Sequence, residues 1–208
     1  MKRGVIYIFG RKIIFMKKEL SEMTLEELWE LFPVILKEHN PKYKEWYEIE
    51  KQNILKNINA GDIIRINHIG SSAVEDLLAK PTVDILLEMH GGCNISRLID
   101  DITLIGWGLM KKENEPMKIS FNKGYTPSGL ADKVYHLHVR YFGNWDELYF
   151  RDYLIKYPDI ADEYGKLKLK LLKDFEHDRD GYTGAKSEFV LKYSQIAKQE
   201  FQDKYKPR

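Results

Sequence analysis

Hydrophobic positions along this chain switch between a helical and a strand period. Leu28, Leu31, Phe32, Ile35 and Leu36 recur at helical spacing. Ahead of them Thr24-Leu-Glu-Glu27 has the capping-box pattern, a hydroxyl for the first turn and a carboxylate three residues on. The spacing predicts a helix from about residue 24, kinked or divided at Pro33 and ended by Asn40-Pro41, because proline lacks an amide hydrogen. A second helix is predicted from Pro41 to Ile58, with Trp46, Ile49, Asn53 and Ile54 near one face and Ala60-Gly61-Asp62 as its stop. From residue 62 the period shortens, and the β-branched Ile63, Ile64, Ile66 and Ile69 predict a strand ending at Gly70-Ser71-Ser72. Residues 73–79 are helix-compatible and closed by Pro81, and Thr82 to Leu87 reads as a second, largely buried strand. Ile95 to Ile105 is a predicted helix, and Trp107 to Met110, Lys118 to Asn122 and Val134 to Tyr141 are predicted strands. Residues 145–175 and 183–203 are predicted helical, separated by Asp178-Arg-Asp-Gly181, where glycine is the stop. The resulting class is α/β (α+β), a mixed β-sheet covered by helices, with an N-terminal helical pair and C-terminal helices. No repeat or linker divides residues 16–208, so one domain is expected there. Residues 1–15 read as an N-terminal extension, an edge strand or a tail, with Met16 as an alternative start to Met1.

Charge narrows the partners. Lys and Arg total 33 against 32 Asp and Glu, so the chain lacks the basic excess of proteins held by bulk phosphate attraction, and no broad nucleic-acid footprint is expected. With 43% hydrophobic residues the chain can bury a sizeable core. The single cysteine, Cys93, rules out an intramolecular disulfide or a cysteine zinc cage and suits a reducing compartment, so a cytoplasmic location is expected. No apolar run approaches the roughly 20 residues of a membrane helix.

Candidate chemistry concentrates at one turn. A buried strand ending in Gly70-Ser71 brings backbone amides and a hydroxyl to one place, which suits a phosphate. Asp84 lies in the next strand, where its carboxylate can sit beside that turn and hold a divalent cation. His136, His138 and Arg140 alternate with Leu137, Val139 and Tyr141, so one strand face is apolar and the polar face is expected to look toward the site. The imidazoles there suit a metal or a phosphate, or alternatively solvent and backbone carbonyls. His68 is either a site residue or a satisfied core histidine. The run Lys166 to Lys173 reads as an amphipathic packing helix.

The segment His68-Ile-Gly-Ser-Ser-Ala-Val74, followed by Ala79-Lys-Pro81 and Asp84-Ile85, resembles the nucleotidyltransferase superfamily signature. Together with His136-Leu-His-Val139, Arg151-Asp-Tyr-Leu154, Tyr182, Lys186 and Phe189, it is more closely similar to the GrpB family, assigned to that fold, over about residues 42–190. The resemblance implies a nucleotidyltransferase-like sheet and metal-dependent transfer of a nucleotidyl group from a nucleoside triphosphate to an acceptor, with Mg²⁺ or Mn²⁺. Asp84 would be catalytic and hold the metal, with His136, His138 and Glu88 as further ligands. Gly70, Ser71, Ser72, Lys80, His68, Arg151 and Lys186 would bind nucleotide or phosphate, and Lys123 is an additional positive candidate. The alternative is a non-catalytic nucleotide or phosphometabolite binding protein with a degenerate metal site. Two departures bear on this choice. Glu75-Asp76 stands where the family usually has Pro-Gly, and Leu86 stands where active superfamily members carry a second carboxylate. Glu88 shares a strand face with Asp84, farther along. An acid restored at position 86 would tighten metal binding if that position faces the same cleft.

Overall fold

The computed structural model describes residues 6–9, 12–15, 18–202 and 204–207; Met1 and Met16 lie outside them. Strands β1 (Ile6–Phe9) and β2 (Lys12–Phe15) pair antiparallel in a ribbon separate from the main sheet.

Helix α1 (Leu25–Leu31) starts at the predicted cap: Thr24 Oγ1 accepts from the Glu27 amide at 3.2 Å and Glu27 Oε2 accepts from the Thr24 amide at 2.8 Å. It stops before Pro33, and the chain beyond forms no further helix until α2 (Tyr43–Asn57). Lys37 instead exchanges both backbone hydrogen bonds with Ala79, at 2.8 and 2.9 Å. That exchange corrects the short helix expected at residues 73–79. Only a single 3-10 turn forms, at Ser71–Ala73, because Asp76 takes a left-handed φ of 60° and the Ala79 backbone is committed to the N-terminal segment.

Five strands make the main sheet: β3 (Ile63–Ile69), β4 (Val83–Met89), β5 (Gly108–Asn114), β6 (Met117–Thr126) and β7 (Gly129–Tyr141). Their order is β3-β4-β7-β6-β5, with the central β4–β7 pair parallel and every other pair antiparallel. The sheet is therefore mixed, as predicted. β6 and β7 run longer than expected because their hairpin end lacks the apolar alternation that marks the rest.

Helix α3 (Ile95–Leu104) and α2 cover one face, over Val83, Ile85, Leu87, Leu137, Val139, Ile119 and Phe121. The predicted C-terminal helices each divide: α4 (Asp146–Lys156) gives way to α5 (Pro158–Phe175), with Pro158 at the first helical turn, and α6 (Arg179–Ala185) precedes α7 (Ser187–Glu200). The Asp178–Gly181 segment starts a helix as well as following one, since Asp178 caps α6 by accepting from the Gly181 amide at 2.8 Å. Among the described residues, no helix is long and apolar enough to cross a membrane.

Candidate functional site

The other sheet face carries the polar groups, and the register explains why they meet. Asp84 on β4 pairs with His136 on the parallel strand β7, and Asn122 on β6 pairs with His136 from the far side. Paired residues share a face, so three strands deliver one patch. His136 Nδ1 lies 3.2 Å from Asp84 Oδ1, and His138 Nε2 lies 3.6 Å from the same oxygen. The three side chains are 19% to 28% exposed, which leaves them reachable from solvent. One ligand atom from each falls within 4.8 Å of the others.

Gly70 is required here for two reasons. Its φ of 72° is left-handed, and a Cβ on it would sit 2.6 Å from Asp84 Oδ2. The turn thus lies against the Asp84 carboxylate. Burial alone would raise the Asp84 carboxyl, but hydrogen bonds and charge from His136 and His138 outweigh it and hold the group well below the usual carboxylate range.

His136 is oriented from behind. Arg179 donates to the Tyr125 hydroxyl oxygen at 2.9 Å, and that hydroxyl lies 2.8 Å from His136 Nε2. With Arg179 donating, the tyrosine hydrogen is free for Nε2, and in that arrangement the remaining ring hydrogen of a neutral imidazole sits on Nδ1, facing Asp84. Reversing the Tyr125 bond would leave Nδ1 unprotonated and able to ligate an ion.

Opposite this cluster stand cations. Lys168 on α5 donates to Ser71 Oγ at 3.0 Å and also to the Leu78 carbonyl. The ammonium groups of Lys80 and Lys186 lie 4.9 and 4.4 Å from the centre of the Tyr182 ring. Burial, then the charges of Lys186 and Arg179, pushes Lys80 down to about 7. Burial with Lys186 and Lys80 pushes Lys168 down to about 7, and burial pushes Lys186 down to about 8 against the pull of Asp84. The Tyr182 hydroxyl, fully buried, has no hydrogen-bond partner. All these groups line one cleft of about 1000 Å³, together with Thr82, Asn122, Asp180, Thr183 and the side of α1.

The structure therefore brings together Ser71, Lys80, Lys186, Asp84, His136 and His138. Six other expected positions differ. Glu88 is fully buried and bound by Arg65 through Nε and Nη2, the latter at 2.6 Å, and by the Gly143 amide at 3.2 Å, so it is consumed by an ion pair outside the Asp84 cluster. Arg151 donates to the His68 carbonyl at 2.8 Å and pairs with Asp152, on the far side of the Gly-Ser turn. His68 stacks on Tyr47 and lies 3.0 Å from Ser72 Oγ. Burial pushes it down to about 4, with Asp84 opposing and Arg151 assisting, so it is a neutral core histidine that secures the turn. Ser72, 2% exposed, is the partner in that contact. Arg140, expected to share the site with the two histidines, is buried under α4, donating to the Val139 carbonyl at 3.0 Å. Lys123 pairs with Glu50 at 2.7 Å, away from the cleft. Glu75 and Asp76 line a separate groove beside α5, so their charge lies outside this cleft.

Lys168, Arg179 and Tyr125 were not expected. Lys168 had a readable signal: with Ala161, Tyr164 and Gly165 it completes the buried i, i+3, i+4, i+7 stripe of α5, where a lysine has no ordinary place.

The sheet order and the cleft at its parallel junction define a mixed-sheet α/β protein whose polar groups gather on one face. The chain belongs to the GrpB family, for the family model described as GrpB protein matches residues 33–195. A UPF0157 protein of Pseudomonas aeruginosa is 35% identical over 61% of this chain and 52% of its own length. The UPF0157 protein YqkA of Bacillus subtilis is 31% identical over 77% of this chain and 46% of its own, so the chain spans about half the length of these two relatives. The glutamate-rich protein GrpB of Alkalihalophilus pseudofirmus is 30% identical over 76% of this chain and 91% of its own. The crystal structure of the conserved protein GrpB from Enterococcus faecalis superposes with a TM-score of 0.70 at 27% identity, covering 81% of this chain and 99% of that one.

Proposed function

We propose that the cleft binds the phosphates of a nucleoside triphosphate beside one divalent ion and that the protein transfers the nucleotidyl group to an acceptor, the acceptor oxygen bonding the α-phosphorus as the α–β anhydride bond breaks and pyrophosphate leaves. The observation that carries this reading is the meeting, in one cleft, of the Asp84, His136 and His138 cluster with Lys80, Lys168 and Lys186. One carboxylate and two imidazoles suit Mn²⁺ better than Mg²⁺, which prefers oxygen ligands throughout. Asp84, His136 and His138 would hold that ion, whose chemistry is to stabilise negative charge on phosphate oxygens. The lysines and Arg179 neutralise the remaining phosphate charge. Lys168 donates to Ser71 Oγ, so the Ser71 hydrogen is left for a phosphate oxygen. A second reading, binding without turnover, is favoured by Leu86, which occupies the place of the second carboxylate.

The test is incubation of wild type and Asp84→Asn with α-phosphate-labelled triphosphates, Mn²⁺ and a cell extract as the acceptor pool. Label transferred by the wild type and lost in Asp84→Asn supports transfer. Triphosphate bound with no label in any acceptor leaves the binding protein.

A pH effect follows from the lysines. The protonated forms bind phosphate, and with the empty-cleft values near 7 to 8 the ligand must draw protons in as pH rises. Tripolyphosphate affinity is expected to fall by about tenfold or more between about pH 7 and pH 9. Calorimetry in two buffers of different ionisation enthalpy should register proton uptake at about pH 8. A flat affinity over that range would show that these lysines do not contact the phosphate.

A further inference from the structure

The cleft has two kinds of lining. Besides its polar groups it is walled by Met23, Leu25, Leu28 and Trp29, from α1 and the turn before it, and by Leu109 and Met110 of the edge strand β5. Leu25, Leu109 and Met110 are each about half exposed, and Trp29 is half-buried with no ring stacked on it among the described residues. Consecutive strand residues ordinarily point to opposite faces, yet Leu109 and Met110 both line this wall. A register irregularity between Leu109 and Lys111 accompanies it, and bulges commonly re-aim side chains beside binding sites. The wall lies largely N-terminal to the segment that the family model matches, since that match begins at residue 33.

Resting on the phosphate reading above, we infer that this wall is a base subsite: the nucleobase of the triphosphate lies between the Trp29 indole and the Leu109 and Met110 side chains, and α1 makes the protein select nucleotides over phosphates that lack a base. A flat occupant suits a wall built from one helix and an edge strand. An indole face and a thioether give a planar heterocycle dispersion contact without demanding one hydrogen-bond pattern. The charge of the lining agrees, since its cations Lys80, Lys168, Arg179 and Lys186 come from outside α1 and β5, and no α1 or β5 residue that lines the cleft is charged. Trp29 is a specificity-determining residue in this arrangement, remote from the reacting phosphate.

The experiment measures binding of ATP, GTP, CTP and UTP, and of inorganic tripolyphosphate, each with Mn²⁺, to wild type, Trp29→Ala, Trp29→Phe and Met110→Ser. In the wild type the best nucleotide is expected to bind about tenfold or more tighter than tripolyphosphate. Trp29→Ala removes most of that difference while leaving tripolyphosphate within about twofold, Trp29→Phe restores most of it, and Met110→Ser reduces it in part. Position 110 is exposed on an edge strand, so its variant keeps the test open if a Trp29 variant disturbs α1. Equal wild-type affinity for tripolyphosphate and every nucleotide, or a Trp29→Ala loss shared equally by both ligands in folded protein, overturns the base subsite alone. Failure of all five ligands to bind overturns the phosphate reading and the subsite with it.

Discussion

Arg65→Met is expected to lower the unfolding free energy by about 3 to 5 kcal/mol, because it leaves the fully buried Glu88 carboxylate without its cation. Arg65 reaches Glu88 through two nitrogens, donates to the Gly143 carbonyl at 2.9 Å, and lies over the rings of Phe142 and Tyr205. It joins β3 and β4 to the segment after β7. The double variant Arg65→Met with Glu88→Met should regain part of the loss, since two apolar groups need no partner, although the Gly143 amide forfeits its acceptor. Urea unfolding of both variants measures this. A single-variant loss below about 1 kcal/mol would show that solvent reaches and screens the pair.

The second large effect is at Leu86. Its side chain shares the sheet face of Asp84, and its register partner is His138, which invites restoring an acid there. But Leu86 is fully buried with Ile69 and Leu148 under α4, so packing fills the position where the signature that the chain resembles has a second carboxylate. Leu86→Ala is expected to cost about 2 to 5 kcal/mol from the cavity, and Leu86→Asp at least about 2 kcal/mol more at neutral pH from burying an unpaired charge. Burial raises the folded-state pKa of the new acid above its unfolded value. Its penalty is therefore absent below the unfolded value, near 4, and grows as pH rises. The gap between the two variants should accordingly close as pH falls toward about 4. Unfolding with and without Mn²⁺ completes the test: if Mn²⁺ restores Leu86→Asp to the stability of Leu86→Ala, position 86 reaches the ion and the slot is open.

The strands were legible because burial on one or both faces writes itself into β-branched and alternating residues. Asp84, His136 and His138 could be placed together from alternation and the Gly-Ser turn, and their register brings that placement about. Glu88 was misread for a specific reason. Sharing a face with Asp84 says nothing of what the carboxylate meets, and Arg65 sits on another strand, past a register shift between Ile63 and Arg65. The helix expected at 73–79 failed because its backbone groups are claimed by Lys37, a partner some forty residues away that no local pattern reveals. Lys168 sits in an alternating Lys-Leu run, where only the phase of the buried stripe tells the inward lysine from its solvated neighbours. Arg179 and Tyr125 meet through tertiary packing alone.

The single parallel junction also shapes how the molecule assembles. β3 with β4 forms one antiparallel ribbon and β5, β6 and β7 a second, each closed by local connections, while Asp84 and His136 stand 52 residues apart and meet only when the ribbons zip together. The long separation makes that zipping the step with the larger chain-closure entropy. Neither ribbon alone contains the cleft, so a folding intermediate holding just one of them has nothing to offer a ligand. A molecule bound across the junction acts as a clasp between halves, since it stabilises only the molecule in which the two ribbons have met.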